Sequence, residues 1–366
     1  MTDDLPTPHI LIDAAIVRRN VAKMAEYASA HNLKLRPHTK THKSVFFATM
    51  QTNAGAAGLT VAKPGEARVM GIVANEILMA YPAVGRGQCA ELVELAGTNS
   101  VTVGIDSTFA ADRLAAAAHA AGVMLGILVD LDVGHHRTGV QNPADALALA
   151  QYVDASAGLQ LEGVMFFPGQ ISMPPAEQSD ALAAVDALLG EVLSLWKEKG
   201  LEAKVVSGGS TPTAFQSHLV KYLTEIRPGT YIFNDMNCVH GKSATFDDCA
   251  ARIIATVVST AVPGQIVLDA GSKTLTSDRC GPAPDSGHGY IVEFPQAKVT
   301  KLSEEHAQVD VRNCDPPPRI GQRVSIIPNH ICPCINLQDK VWWQEDGGFG
   351  SADIKPLRVD ARGKVY

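Results

Sequence analysis

No apolar run in this 366-residue chain approaches ~18 residues, so no helix is expected to span a bilayer. The start, MTDDLPTP, is acidic and lacks the basic-then-apolar profile of a secretion signal. Basic charge is not in excess either. The formal net charge of −7 argues against nucleic acid or an anionic membrane as the main partner. There is no internal repeat of about 20–50 residues and no low-complexity linker, which excludes solenoid and propeller architectures. Cysteine is not arranged as a disulfide framework: seven residues, an odd count, are scattered along a long chain and read as reduced thiols in a cytoplasm. What is present is 46% hydrophobic and 19% charged, enough for a sizeable core and far from a disordered composition. A cytoplasmic enzyme is the class these exclusions leave.

Apolar runs at 33–37, 58–63, 76–81, 101–107, 125–133, 159–168, 204–210 and 224–233 alternate with helical segments. Segments such as 108–122 and 176–200 are rich in good helix formers, with apolar residues three and four apart. Strands regularly followed by helices predict a parallel (β/α)8 TIM-like barrel of roughly 220 residues rather than an open sheet. After about residue 245 the runs 251–262, 264–272, 296–303, 307–313 and 323–337 are β-branched and punctuated by Gly, Pro, Asn and Asp, with no good helix. That pattern predicts a C-terminal all-β domain. The expected division is 1–20 as an N-terminal strand packing with the β domain, 21–244 as the barrel, and 245–366 as the β domain.

The densest polar cluster is RPHTKTHK (36–43), at the C-terminal end of the first barrel strand, where barrels carry their catalytic residues. A Schiff-base lysine must be partly deprotonated to react, and nearby cations favour the neutral amine. Arg36, His38, His42 and Lys43 would supply that setting around Lys40. A solvated basic loop fits the same string equally well. The second cluster, SGGSTPT (207–213), exposes successive backbone N–H groups in front of a helix start, a cradle suited to phosphate. Gly229 and Thr230, after the next strand, could add donors, although either loop alone is also an ordinary turn.

In DVGHHRTG (132–139) the adjacent histidines point to opposite faces of an extended chain, which disfavours a shared metal. Arg137 is the more useful group, a permanent cation able to bond a phenolate or carboxylate. In PNHICPC (328–334), His330 and Cys332 would share one face of an extended segment, with Cys334 on that face if Pro333 allows it. Imidazole and thiolate suit zinc, and two ligands suit a catalytic metal with open positions rather than a closed structural site. Buried residues that bind nothing are the competing reading.

Taken in order, RPHTKTHK (36–43), DVGHHRTGV (132–140), LDAGSK (268–273), SEEH (303–306) and PNHICP (328–333) resemble the D-threonine aldolase and eukaryotic-type D-serine dehydratase family. These are fold-type III pyridoxal-phosphate enzymes with an alanine-racemase-like barrel, and the resemblance runs over nearly the whole chain. It implies that Lys40 forms the Schiff base with pyridoxal 5'-phosphate and that Arg137 touches the cofactor's phenolic oxygen. Gly208, Gly209, Ser210, Thr211, Gly229 and Thr230 would hold the phosphate. His330 and Cys332 would be the divalent-metal ligands beside the substrate's β-hydroxyl. The family also implies a homodimer whose subunits complete each other's sites.

The family's aldolases carry His-x-Asp at the metal position, whereas the dehydratases resemble this His-x-Cys. Thiolate favours zinc where carboxylate favours manganese or magnesium, so the expectation is a zinc-dependent dehydratase of a β-hydroxy D-amino acid. D-Serine, D-threonine and 3-hydroxy-D-aspartate all offer the hydroxyl, and elimination gives a 2-oxo acid and ammonia. The alternative is a metal-dependent aldolase releasing glycine and an aldehyde, with an amino-acid racemase or a non-catalytic cofactor carrier behind it. Where related enzymes place Tyr and His before Gly in the sixth-strand loop, this chain has Phe166-Phe167-Pro168-Gly169. A second substrate carboxylate would need a cation, and Lys273, Arg279 and Arg36 are available. His306 and His42 are candidate acids or bases. Trp342 and Trp343 read as packing, and Cys89, Cys238, Cys249, Cys280 and Cys314 as structural thiols.

Overall fold

The computed structural model describes residues 5–345 and 353–366. The acidic start at 1–4 and positions 346–352 of the expected β domain lie outside the described residues. The chain divides into two compact units. One takes in Lys23–Lys40, Ser44–Gly229 and Lys364–Tyr366, and the other Thr41–Lys43, Thr230–Gly363 and the N-terminal residues through Ala22.

Strand β1 (His9–Asp13) belongs to the second unit. The first unit is built on β2 (Lys34–Leu35), β3 (Leu59–Val61), β4 (Glu76–Met79), β5 (Ser100–Ile105), β6 (Leu125–Leu131), β7 (Leu159–Phe166), β8 (Val205–Gly208) and β9 (Glu225–Ile226). All eight pair in parallel, in the order β2-β9-β8-β7-β6-β5-β4-β3. A bridge between His38 and Thr60 joins the two ends, so the sheet curls into a barrel at its C-terminal rim. Each run expected as a barrel strand overlaps one of these.

Local chemistry accounts for the crossovers. The Ser107 hydroxyl accepts the Ala110 N–H at the start of Thr108–Ala121, and Gly122 closes that helix in the left-handed conformation (φ 68°). Asn142 accepts the Asp145 N–H ahead of Pro143–Asp154, with proline in the first turn where no donor is needed. Strand β6, LGILVDL, is an almost continuous buried apolar run, the pattern of a parallel strand covered on both sides.

The second unit is a nine-stranded sheet that adds β10 (Ala251–Ser259), β11 (Gln265–Leu268), β12 (Tyr290–Ile291), β13 (Lys298–Leu302), β14 (Ala307–Asp310), β15 (Arg323–Ile327), β16 (Lys340–Gln344) and β17 (Ile354–Arg358). Its main path is β13-β14-β11-β10-β1-β16-β17, with β15 on β10 and β12 on β15. Pairing is antiparallel except between β1 and β16. Trp343, on β16, is fully buried, as the packing reading expects.

Two details differ from expectation. Short helices occur at Ser272–Leu275 and Ile331–Asn336 in a domain where no good helix is expected, the second within a run read as extended chain. The second forms because Asp235 accepts the Ile331 N–H (3.1 Å), while Pro333, in the first turn, needs no intrahelical donor bond. All seven cysteines are free. Among the described residues no helix is long and apolar enough to cross a membrane.

Candidate active site

Lys40 sits in the 3-10 turn Thr39–Thr41 beyond β2, at the C-terminal rim. The Thr39 hydroxyl donates to Thr60 O (3.1 Å) and the Thr60 N–H to Pro37 O (2.9 Å), which fixes the turn against β3. Lys40 is exposed, and its amine has no partner among the described residues.

Arg36 does not join it, contrary to expectation. Arg36 Nε donates to both Glu225 oxygens (3.1 and 2.9 Å) and Nη2 to Glu76 Oε2 (2.8 Å). Glu76 and Glu225 are the first residues of β4 and β9, so the guanidinium faces the opposite, N-terminal end of the barrel. A buried cation requires such carboxylates, and their charge is spent on it. Glu225 also accepts from Ser207 Oγ (2.6 Å), and Ser207 accepts from Arg227 Nη1 (2.5 Å). Arg227 is buried, which pulls its pKa down to about 10.

After β6 the chain turns sharply. Asp132 accepts the N–H groups of Gly134 (2.9 Å) and His136 (3.0 Å), and its other oxygen lies 2.7 Å from His136 Nδ1. Burial would raise the Asp132 pKa, but these bonds outweigh it and hold the carboxyl at about 2. His136 adopts φ 55°, so this stretch is not the extended chain expected; the histidines still separate, because His135 lies edge-on to Phe167 while His136 turns back to Asp132. The Arg137 guanidinium stacks 4.7 Å from the centre of the Phe167 ring. Phe167 therefore orients Arg137, a role for the sixth-strand loop that sequence reasoning missed, since aromatic residues there read only as lost polar groups.

Beyond β8, a side chain at Gly208 would meet the Phe166 ring at 2.1 Å, and Gly209 holds φ 84°. Only glycine fits the first position without displacing Phe166 and the second without strain. Ser210 and Thr211 are buried, and Thr213 Oγ1 accepts the Ser210 N–H (3.1 Å), which sets the turn. A backbone cradle of this kind fits a phosphate group.

In the other unit, His330 is the residue before the helix Ile331–Asn336. Its Nδ1 lies 2.8 Å from Asp278 Oδ2. Cys332 Sγ lies 3.2 Å from Thr41 Oγ1 and 3.6 Å from Thr230 Oγ1. Burial would lower the His330 pKa, but Cys332, Asp235 and Asp278 carry it up to about 9. Burial pushes the Cys332 thiol up, and His330 outweighs this and draws it below the ordinary thiol value. The neighbouring imidazole thus favours the thiolate, which is the ligating form of cysteine. With Asp278 on Nδ1, the Nε2 of His330 is the nitrogen left for a metal, as in carboxylate–histidine–metal arrangements. No group of three or more such ligands occurs among the described residues.

The remaining candidates differ in their surroundings. Cys334 is buried, its Sγ 3.2 Å from His330 O, and burial pushes its pKa well up. His306 lies exposed in the hairpin between β13 and β14. Lys273 is held by Glu304 and Glu305, each at 2.8 Å. His42 and Lys43 are buried. Asp278 was missed; a lone aspartate after LDAGSK carried no spacing signal.

Residues 12–236 match the family model for the alanine racemase N-terminal domain, and residues 250–343 match the "Putative serine dehydratase domain". The chain belongs to the alanine racemase N-terminal domain family, that is, to the fold-type III pyridoxal-phosphate enzymes. Within it the chain is a lyase, as its relatives are. It is 29% identical over 350 residues to the D-threonine aldolase of an Arthrobacter sp (93% of this chain, 89% of that protein). It is also 29% identical over 358 residues to the D-threo-3-hydroxyaspartate dehydratase of Delftia sp. strain HT23 (90% of this chain, 91% of that protein). A variant of a D-threo-3-hydroxyaspartate dehydratase, solved in a metal-free form, superposes with a TM-score of 0.88 at 27% identity, covering 97% of this chain and 98% of that one. The solved D-threonine aldolase of Filomicrobium marinum superposes with a TM-score of 0.91 at 29% identity, covering 100% of this chain and 98% of that one.

Proposed function

We propose that this chain is a dehydratase of β-hydroxy D-amino acids that uses pyridoxal phosphate and zinc. The observation that carries this reading is the His330–Cys332 pair, because a thiolate beside an Asp-buttressed imidazole suits zinc better than manganese or magnesium.

Lys40 would hold the cofactor covalently, Arg137 its phenolic oxygen, and Gly208, Gly209, Ser210, Thr211, Gly229 and Thr230 its phosphate. His330 and Cys332 would bind the metal. When bound, the cofactor supplies an electron sink at the substrate's α-carbon and the metal a Lewis acid at its β-hydroxyl. When it is not bonded to the cofactor, the amine of Lys40, exposed at the rim, would take the α-proton. Hydroxide departs from the β-carbon, and the resulting enamine hydrolyses to a 2-oxo acid and ammonia. Residues 21–244 serve as the cofactor-binding domain and 245–366 as the metal-carrying domain, with the strand within 1–20 added to the latter. The working form is a cytoplasmic homodimer with shared sites.

An aldolase uses the same parts, and the aldolase relatives favour it as the second reading. The protein reconstituted with pyridoxal phosphate and zinc should convert D-serine, D-threonine or a 3-hydroxy-D-aspartate to 2-oxo acid and ammonia. Glycine with an aldehyde or glyoxylate would overturn the dehydratase in favour of the aldolase.

A further inference from the structure

Asp278, which buttresses His330, belongs to a loop held in one conformation. The Asn329 side-chain amide donates to Asp278 O (3.0 Å) and Gly287 O (2.8 Å), tying both ends of 278–287 to the residue before His330. Upstream, Thr276 adopts φ 62°, a left-handed conformation that a β-branched residue takes only under constraint. Downstream, the His288 N–H donates to Val299 O (3.0 Å), fixing the ring's backbone.

Three polar groups of this loop region are left over. Arg279, next to Asp278, is exposed and has no carboxylate at ion-pair distance among the described residues. His288 is 8% exposed, and its Nδ1 is buried without a hydrogen-bond partner. Asn329 Oδ1 is likewise buried and unpartnered. Burial and then the charge of Arg279 hold the His288 pKa below its ordinary value. An unpaired guanidinium beside the residue that buttresses His330, with an unsatisfied imidazole nitrogen in the same loop region, matches what a carboxylate needs.

We propose that Arg279, assisted by His288, is a specificity-determining residue that receives a carboxylate of the substrate. This rests on the lyase reading above and deepens it. Of the three cations the sequence offered for a second carboxylate, Arg36 is committed to Glu225 and Glu76, and Lys273 to Glu304 and Glu305. Arg279 alone among them is uncommitted. The carboxylate could be the distal one of 3-hydroxy-D-aspartate or the α-carboxylate that every candidate shares.

D-Aspartate and D-alanine lack the β-hydroxyl, so neither elimination nor aldol cleavage can intervene. Their binding to the holoenzyme is read from the absorbance of the bound cofactor. Arg279→Met should weaken D-aspartate binding by about 10- to 100-fold, the loss expected for a charge-assisted pair, and Arg279→Lys should recover part of it. D-Alanine affinity close to wild type then assigns the distal carboxylate, and equal loss for both assigns the α-carboxylate. Unchanged affinity for both ligands overturns the proposal. So does loss of zinc from Arg279→Met, because Arg279 would then be acting through Asp278 and His330. A wild-type holoenzyme with no spectral response to D-alanine overturns the cofactor reading itself, and this proposal with it.

Discussion

Asp278 Oδ2 and His330 Nδ1 lie 2.8 Å apart, joining residues 52 positions distant in the chain. The bond fixes the imidazole's orientation and dedicates Nε2 to a ligand. Asp278→Asn should therefore reduce zinc affinity by about 10- to 100-fold, the usual cost of removing such a partner. Zinc retained against graded chelator is the measurement. The cofactor's absorbance should not change, since Lys40 and the phosphate turn belong to the other unit.

Asp132 should make the barrel's stability pH-dependent in acid. Its native pKa of about 2 is below its unfolded value, so the unfolded chain binds the proton more readily. Its contribution is complete above about pH 4, falls as the pH drops, and is gone below about pH 2. Urea unfolding of the wild type against Asp132→Asn should show a difference at pH 6 that narrows towards pH 3. A difference independent of pH would show that the carboxylate's charge is not what closes the turn before Arg137.

Glu225→Gln should destabilise the barrel by about 3–5 kcal/mol, because it leaves the buried Arg36 guanidinium without its main counter-charge. Denaturant titration gives this directly. Glu225→Gln with Arg36→Met, which removes both charges, should recover much of the loss.

Periodicity and breakers made the barrel legible. Strand β6 is an almost continuous apolar run, and Ser107 and Asn142 announce their helices. The β domain was legible where runs are long, as in β10, and not in β12, only two residues long, or β17, whose exposed residues carry no apolar alternation. The segment after His330 was misread as extended because its helix depends on Asp235, 96 positions away.

Ordered local strings bound the site residues to a family, because reactive groups at strand ends are written contiguously: Lys40 with its flanking basic residues, Gly208 with Gly209, His330 with Cys332. The sequence by itself thus determined the strand count of the barrel, the β texture that follows it, and the chemical types at each rim loop. Only the tertiary structure decided what each side chain faces. It turned Arg36 to the far end of the barrel, laid Arg137 on Phe167, and set Asp278 on His330. Composition and spacing encode propensity along the chain, but hydrogen bonds and ion pairs between distant residues are settled by which strand ends the fold brings within about 3 Å of one another.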